Sequence, residues 1–162
     1  MPRPSSSRSN KAPVDPRARG VQLLARREHS SRELARKLEQ RGIPKDEAEA
    51  AVAELGRDGW QSDARYAGML VRTRIAQGFG PLRIDAELRQ AGISSDGIRL
   101  AQDEAGADWR AICAEVHARR FGQRPTTGTE RAKQYRYLQG RGFDSSQIGA
   151  VLTGPADSQE RR

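Results

Sequence analysis

Apolar positions in this chain recur three or four residues apart between polar, glycine-bearing or proline-bearing stops, and one such pattern returns at a fixed interval. The segments SSRELARKLEQRGI, GPLRIDAELRQAGI and ERAKQYRYLQGRGF end at Ile43, Ile93 and Phe143, 50 residues apart. Leu38, Leu88 and Leu138 fall in register, as do Gly42, Gly92 and Gly142 and the apolar residue after each glycine. Self-similarity at this period predicts an array of structural repeats. Between the stops the stripes Ala48/Val52/Leu55, Tyr66/Leu70 and Ile98/Ala101/Ala105 have helical spacing, and no stretch alternates with a two-residue period long enough for a strand.

Start and stop signals divide the pattern further. Asp15 before Pro16 predicts an N-cap with proline in the first turn. Ser30 with Glu33, Thr127 with Glu130 and, more weakly, Asp144 with Gln147 have capping-box spacing. Pro44 and Pro81 stand where first turns begin, Asp108 caps the helix carrying Trp109, and the glycines at 42, 92 and 142 suit left-handed helix ends. The prediction is nine helices in three triplets: 16–27, 31–41, 45–57; 62–77, 81–91, 95–105; 108–121, 128–141, 145–153. The fold class is therefore all-α, three tandem three-helix repeats forming an elongated curved array. Repeat 1 is expected over 15–60, repeat 2 over 61–106 and repeat 3 over 107–155, between disordered tails at 1–14, which is basic, and 156–162. A stripe of three or four apolar side chains at about 1.5–3 kcal/mol each does not offset the ordering of a whole triplet, so burial is expected from stacking of neighbours. The repeat is degenerate, because Leu34 and Ile84 correspond to Gln134.

Composition supports a thin aliphatic core, with 35% hydrophobic and 5% aromatic residues. The aromatics Trp60, Tyr66, Trp109, Tyr135 and Tyr137 are expected mostly in that core, although Tyr135 and Tyr137 lie two apart on one helix, so one of them should be exposed. The formal charge of +8 is carried mainly by arginine, which suits partners rich in phosphate or carboxylate; a GC-rich genome is the bland alternative. Charge is also segregated. Residues 109–141 hold eight basic and two acidic residues, and residues 46–63 hold one basic and six acidic. Residues 64–91 are net basic through Arg65, Arg72, Arg74, Arg83 and Arg89. Arg65 and Arg72 lie seven apart on one helix face, and Arg119, Arg120, Lys133 and Arg136 crowd the third repeat. For each cluster a solvated face, a phosphate contact and a contact with acidic protein residues remain open.

Several chemistries find no support. GFGPLR at 78–83 lacks the third glycine and the GK[ST] ending of a phosphate loop. One cysteine and two histidines in different triplets do not make a zinc site, so no metal, cofactor or catalytic residue is expected and the chain is not expected to be an enzyme. The single Cys113 falls on a core stripe and points to a reducing, cytoplasmic setting. No apolar run reaches the ~20 residues of a membrane span, and the N-terminus has no apolar stretch of a secretory signal. His29 is expected as a solvated turn residue and His117 as half-buried.

The strings LLARREHSSRELARKLEQRG, DGWQSDARYAGMLVRTRIAQGFGPLRIDAELRQAGI and RYLQGRGFDSSQI resemble the RecX family of bacterial regulatory proteins, in similar order and spacing over nearly all of the chain beyond residue 16. SDARYA at 62–67 and GFGPLRI at 78–84 are the most specific parts. The resemblance implies an all-helical, cytoplasmic modulator of the RecA recombinase that lodges in the groove of the RecA–DNA filament and hinders its growth, ATP hydrolysis and strand exchange, tempering recombination and the SOS response. It also implies weak phosphate contacts with single- or double-stranded DNA. The matched positions Arg26, Arg27, Arg65, Tyr66, Arg72, Arg83 and Arg141 become candidates for partner contact, Tyr66 with a structural alternative, and Arg74, Arg119, Arg120, Lys133 and Arg136 join them on charge. The basic tail stands outside the shared pattern, and Trp60 occupies a place where an aliphatic residue is expected. A helical DNA-binding module without RecA as partner is the second reading, set back because no helix carries Asn, Gln and Arg at consecutive turns as a base-reading face. A passive helical scaffold is the third. A monomer is expected.

Overall fold

The structure, a computed structural model, describes residues 13–154. The tail expected over 1–14 lies outside them except for Pro13 and Val14, and that expected over 156–162 lies outside them entirely. Among the described residues there are nine α-helices and no strands: α1 Pro16–Leu24, α2 Ser31–Glu39, α3 Lys45–Arg57, α4 Asp63–Ala76, α5 Pro81–Gln90, α6 Ser95–Ala105, α7 Trp109–Phe121, α8 Gly128–Gly140 and α9 Ser145–Thr153.

The repeated cadence is a Schellman turn built three times. The N–H of Gly42 donates to the Glu39 carbonyl at 2.9 Å and the N–H of Ile43 to the Leu38 carbonyl at 3.3 Å. Gly92/Ile93 and Gly142/Phe143 repeat both bonds onto Arg89/Leu88 and Gln139/Leu138. The three glycines have φ of 84°, 85° and 95°, a region open to glycine and costly for other residues. Each turn swings the next apolar residue under the leucine that precedes it, so Ile43, Ile93 and Phe143 are all buried.

Seven helices begin on a side-chain cap: Asp15, Ser30, Ser62, Ser94, Asp108, Thr127 and Asp144 each accept from a first-turn N–H. The pair expected to be weakest, Asp144 with Gln147, is the reciprocal box. Glu33 instead turns its carboxylate to Arg27, and Glu130 turns to Thr126. Pro44 serves as an N-cap without a side-chain bond, while Pro81 does enter the first turn of α5. Helix α1 stops at Leu24, three residues short of expectation, because Arg27 has left the helix to reach Glu33.

The buried residues of each unit form an apolar cluster of their own, where stacking was expected to supply the burial, and half-buried Trp109 of α7 packs across onto the second. Leu23, Leu34, Leu38, Ile43, Ala48, Ala51, Val52 and Leu55 form the first. Tyr66, Leu70, Val71, Ile84, Leu88, Ile93 and Ile98 dominate the second, and Cys113, Val116, Leu138, Phe143, Ile148 and Leu152 form the third. The difference arises because three helices and the Schellman residue all contribute to one cluster, so a single stripe understates the burial. In the first unit α1 approaches α3 so closely that a Cβ on Gly20 would lie 2.4 Å from Leu55 Cδ1. In the third unit Gln134 stands where the others have Leu34 and Ile84. It is buried there because its Oε1 meets His117 Nε2 at 2.7 Å and its Nε2 donates to the Gln123 carbonyl at 3.3 Å. His117 is thus fully buried rather than half-buried.

Units two and three meet backbone to backbone. Gly80 N–H donates to the Arg141 carbonyl at 2.8 Å and Leu82 N–H to the Gly142 carbonyl at 3.0 Å. A Cβ on Gly80 would lie 2.4 Å from the Gly142 carbonyl oxygen, whereas one on Gly140 meets nothing within 4 Å. Gly80→Ala is expected to destabilise the protein by about 1–3 kcal/mol through overpacking against backbone. Gly140→Ala should be neutral or slightly stabilising, both read by urea unfolding.

Candidate protein and nucleic-acid interface

The junction between units one and two is polar and organised around Asp63. Its carboxylate accepts from Ser31 N–H at 2.8 Å, from the Ser31 hydroxyl at 3.2 Å and from Gln61 Nε2 at 2.9 Å. Gln61 Nε2 also reaches the His29 carbonyl at 3.2 Å. Arg65 closes the outside, with Nε on Glu28 at 2.8 Å and Nη2 on the carbonyls of Gly59 and Trp60 at 3.0 and 2.9 Å. His29 is 3% exposed, not the solvated turn residue expected, because the α1–α2 turn folds beneath α2. Its Nδ1 lies 3.3 Å from Glu33 Oε2 without the alignment of a hydrogen bond. Burial and the Arg27 charge depress its pKa, with Lys37 adding to the effect and Glu33 opposing it.

The junction between units two and three adds aromatic stacking to its backbone pair. Phe79 lies between two guanidinium groups, Arg83 at 4.2 Å and Arg141 at 4.7 Å from the ring centroid. Arg141 continues to Tyr137, with its guanidinium 5.6 Å from that ring and Nε donating to the hydroxyl at 3.3 Å. Arg120 then sits 5.5 Å from both Tyr137 and Phe121. Arginine and aromatic side chains therefore alternate across the junction, each cation resting on a negative π-face. Beside this ladder is a recess of ≈ 170 Å³ lined by Gly78, Val116, Arg119, Arg120, Tyr137 and Arg141, together with Gln77.

The candidate residues separate into two groups. Arg27 pairs with Glu33, Arg65 with Glu28, and Arg74 and Arg83 share Glu87 at 2.7 and 3.3 Å. Arg27, Arg65 and Arg74 each give donors from more than one nitrogen inside the molecule and Arg83 gives its Nε–H, and the Glu33 hydrogen bond raises the Arg27 pKa further. Tyr66 is buried in the second cluster, where desolvation raises its hydroxyl pKa. Arg26, Arg72, Arg119, Arg120, Lys133 and Arg136 are exposed, Arg141 is half-buried, and among the described residues none of these seven forms an ion pair. Of these, Arg119, Arg120 and Arg141 converge on the recess, while Lys133 faces a separate pocket with Glu130 and Arg124.

Phe79 was missed as a site residue, since its only signal was its position between Gly78 and Gly80. The aromatics also differ from expectation. Trp60 is 50% exposed on the loop between units one and two, because Gly59 at φ 78° turns the chain outward there. Tyr135 and Tyr137 are both half-buried against the third cluster, and Arg120 and Arg141 lie over the Tyr137 ring. Cys113 is fully buried and its thiol is pushed up to about 11 by desolvation, which suits a core residue. No group of metal ligands is present among the described residues, and no described helix is long and apolar enough to cross a membrane.

Three self-contained helix triplets joined by polar, arginine-rich junctions define a tandem helical-repeat binding protein. The comparisons agree unit by unit: residues 17–55, 62–101 and 108–152 match the first, second and third three-helix domains of RecX. The regulatory protein RecX of Pseudomonas entomophila is 44% identical over 143 residues, 88% of this chain and 92% of its own length. That of Stenotrophomonas maltophilia is 45% identical over 134 residues, 82% of either chain. The crystal structure of RecX from Lactobacillus salivarius has the same fold, with a TM-score of 0.72 at 19% identity over 85% of this chain and 92% of its own. The chain belongs to the RecX family of regulatory proteins, a non-enzymatic family known to inhibit RecA.

The buried His29 generates a pH dependence. With its folded pKa below the unfolded value of 6.5, the unfolded chain takes up a proton that the folded chain does not. Stability is therefore full above about pH 6.5 and falls as pH drops toward 5. Thermal unfolding between about pH 5 and 7 should show that slope, and His29→Gln should flatten it.

Proposed function

We propose that this chain inhibits RecA by lodging along the groove of the RecA–DNA filament, as a cytoplasmic monomer that touches recombinase with its acidic surfaces and DNA phosphates with its unpaired arginines. The observation that carries this reading is the allocation of charge within a fold of the RecX family. Seven of the fourteen arginines of the first two units pair with a carboxylate, four of them with Glu28, Glu33 or Glu87, whereas those of α7 and α8 have no acidic partner among the described residues. Residues 109–141 thus present eight basic against two acidic residues to a partner, and residues 46–58, on α3 and its C-cap, carry five acidic against one basic.

Such an arrangement suits a complex that contains both a protein wall and a polyanion. Complementary potential on each side sets orientation and speeds encounter more than it adds affinity. Slowed filament growth and strand exchange would temper recombination and the SOS response.

RecA-dependent ATP hydrolysis on single-stranded DNA, titrated with this protein at two salt concentrations, tests the proposal. Inhibition is expected well below one molecule per recombinase subunit, and it should weaken at higher salt. Unchanged hydrolysis at stoichiometric protein would overturn it.

A further inference from the structure

We propose that the recess between units two and three seats a backbone phosphate of a polynucleotide, held by Arg119, Arg120 and Arg141. This deepens the DNA contact of the proposed function and rests on that reading.

The recess is built by close packing. Gly78, at φ 77°, brings the end of α4 against α7 so tightly that a Cβ there would lie 2.9 Å from Val116 Cγ2 and 3.9 Å from Arg119 Nη2. Arg119 and Arg120 come from the last turn of α7, Arg141 comes from the turn after α8, and Tyr137 forms a wall. Three guanidinium groups therefore converge from two elements of unit three on a floor supplied by unit two.

Their orientation leaves hydrogen-bond donors free. At Arg65 and Arg74 a carboxylate orients the guanidinium and takes up its charge. Here aromatic faces orient two of the three: Arg120 rests on Phe121 and Tyr137, and Arg141 on Phe79 and Tyr137. A π-face stabilises the charge without accepting the in-plane N–H groups. Among the described residues Arg141 gives only its Nε–H, to the Tyr137 hydroxyl, so its two terminal nitrogens keep theirs.

Among the described residues no carboxylate lines the recess, and its ≈ 170 Å³ accommodates a tetrahedral oxyanion. Several pre-oriented guanidinium forks around one small space match the multiple oxygens of a phosphate. The surplus of eight basic over two acidic residues across 109–141 favours a polymer with many phosphates over a single carboxylate on a protein. A phosphate seated there would touch both units at once, so nucleic-acid binding would also fix the angle between them.

The test is fluorescence anisotropy of a labelled oligothymidylate bound by the full chain, with salt varied between about 50 and 200 mM. Wild type is compared with Arg119→Gln/Arg120→Gln and with Arg99→Gln, whose arginine pairs with Asp96 on α6 far along the chain from the recess. Circular dichroism melting checks that each variant folds. The double variant is expected to lose roughly tenfold in affinity and to lower the slope of log K against log salt by about 1–1.5, while Arg99→Gln leaves the slope unchanged. Wild-type affinity and slope in the folded double variant would overturn the phosphate seat while leaving the wider DNA reading intact. Absence of oligothymidylate binding by wild type would overturn both. Unchanged DNA binding with lost inhibition of RecA ATP hydrolysis would overturn the phosphate assignment in favour of a carboxylate on the protein partner.

Discussion

The left-handed glycine that ends the second helix of each unit is the constraint on which the architecture depends. At Gly42, Gly92 and Gly142 a positive φ reverses the chain within one residue, so that the following Ile43, Ile93 or Phe143 packs under Leu38, Leu88 or Leu138. Without that reversal the third helix of each unit would leave in another direction and the cluster would lose both its lid and one of its sides. Two of these turns carry a second duty. Gly92 lies under the Arg32 side chain from unit one, and Gly142 lies against the backbone of Arg83 from unit two. The same residue that closes one unit thus offers a bare surface to the unit before it, whereas a Cβ on Gly42 meets nothing within 4 Å among the described residues.

Cores and junctions are built from different materials, and that division bears on function. Burial of aliphatic side chains is non-directional and large, so each triplet closes on its own. The junctions rely on hydrogen bonds around Asp63, backbone pairs at Gly80 and Leu82, and arginines stacked on Phe79 and Tyr137. Individually such contacts contribute only about 0.5–1.5 kcal/mol net, so the angle between units is softer than the units themselves. The arginines divide along the same line, some spent on internal carboxylates and others left with donors directed outward.

The sequence alone determined the element order, the three-unit division and the family, because helix caps, glycine stops and apolar spacing are local signals that act within a few residues. Together with the 50-residue register of Leu38, Leu88 and Leu138, these signals place every helix within three residues of its observed ends. The candidate site was legible only as a set of basic residues. Which of them were spent depended on partners far away in the chain: Arg65 on Glu28, Arg74 on Glu87, and His29 buried beneath a turn that looked solvated. The self-contained clusters and the convergence of Arg119, Arg120 and Arg141 around Tyr137 likewise came only from tertiary structure. Charge and aromatic type are written in the sequence, but whether a guanidinium meets a carboxylate, a π-face or open solvent is decided by packing between elements, through forces that depend on distances the linear order does not contain.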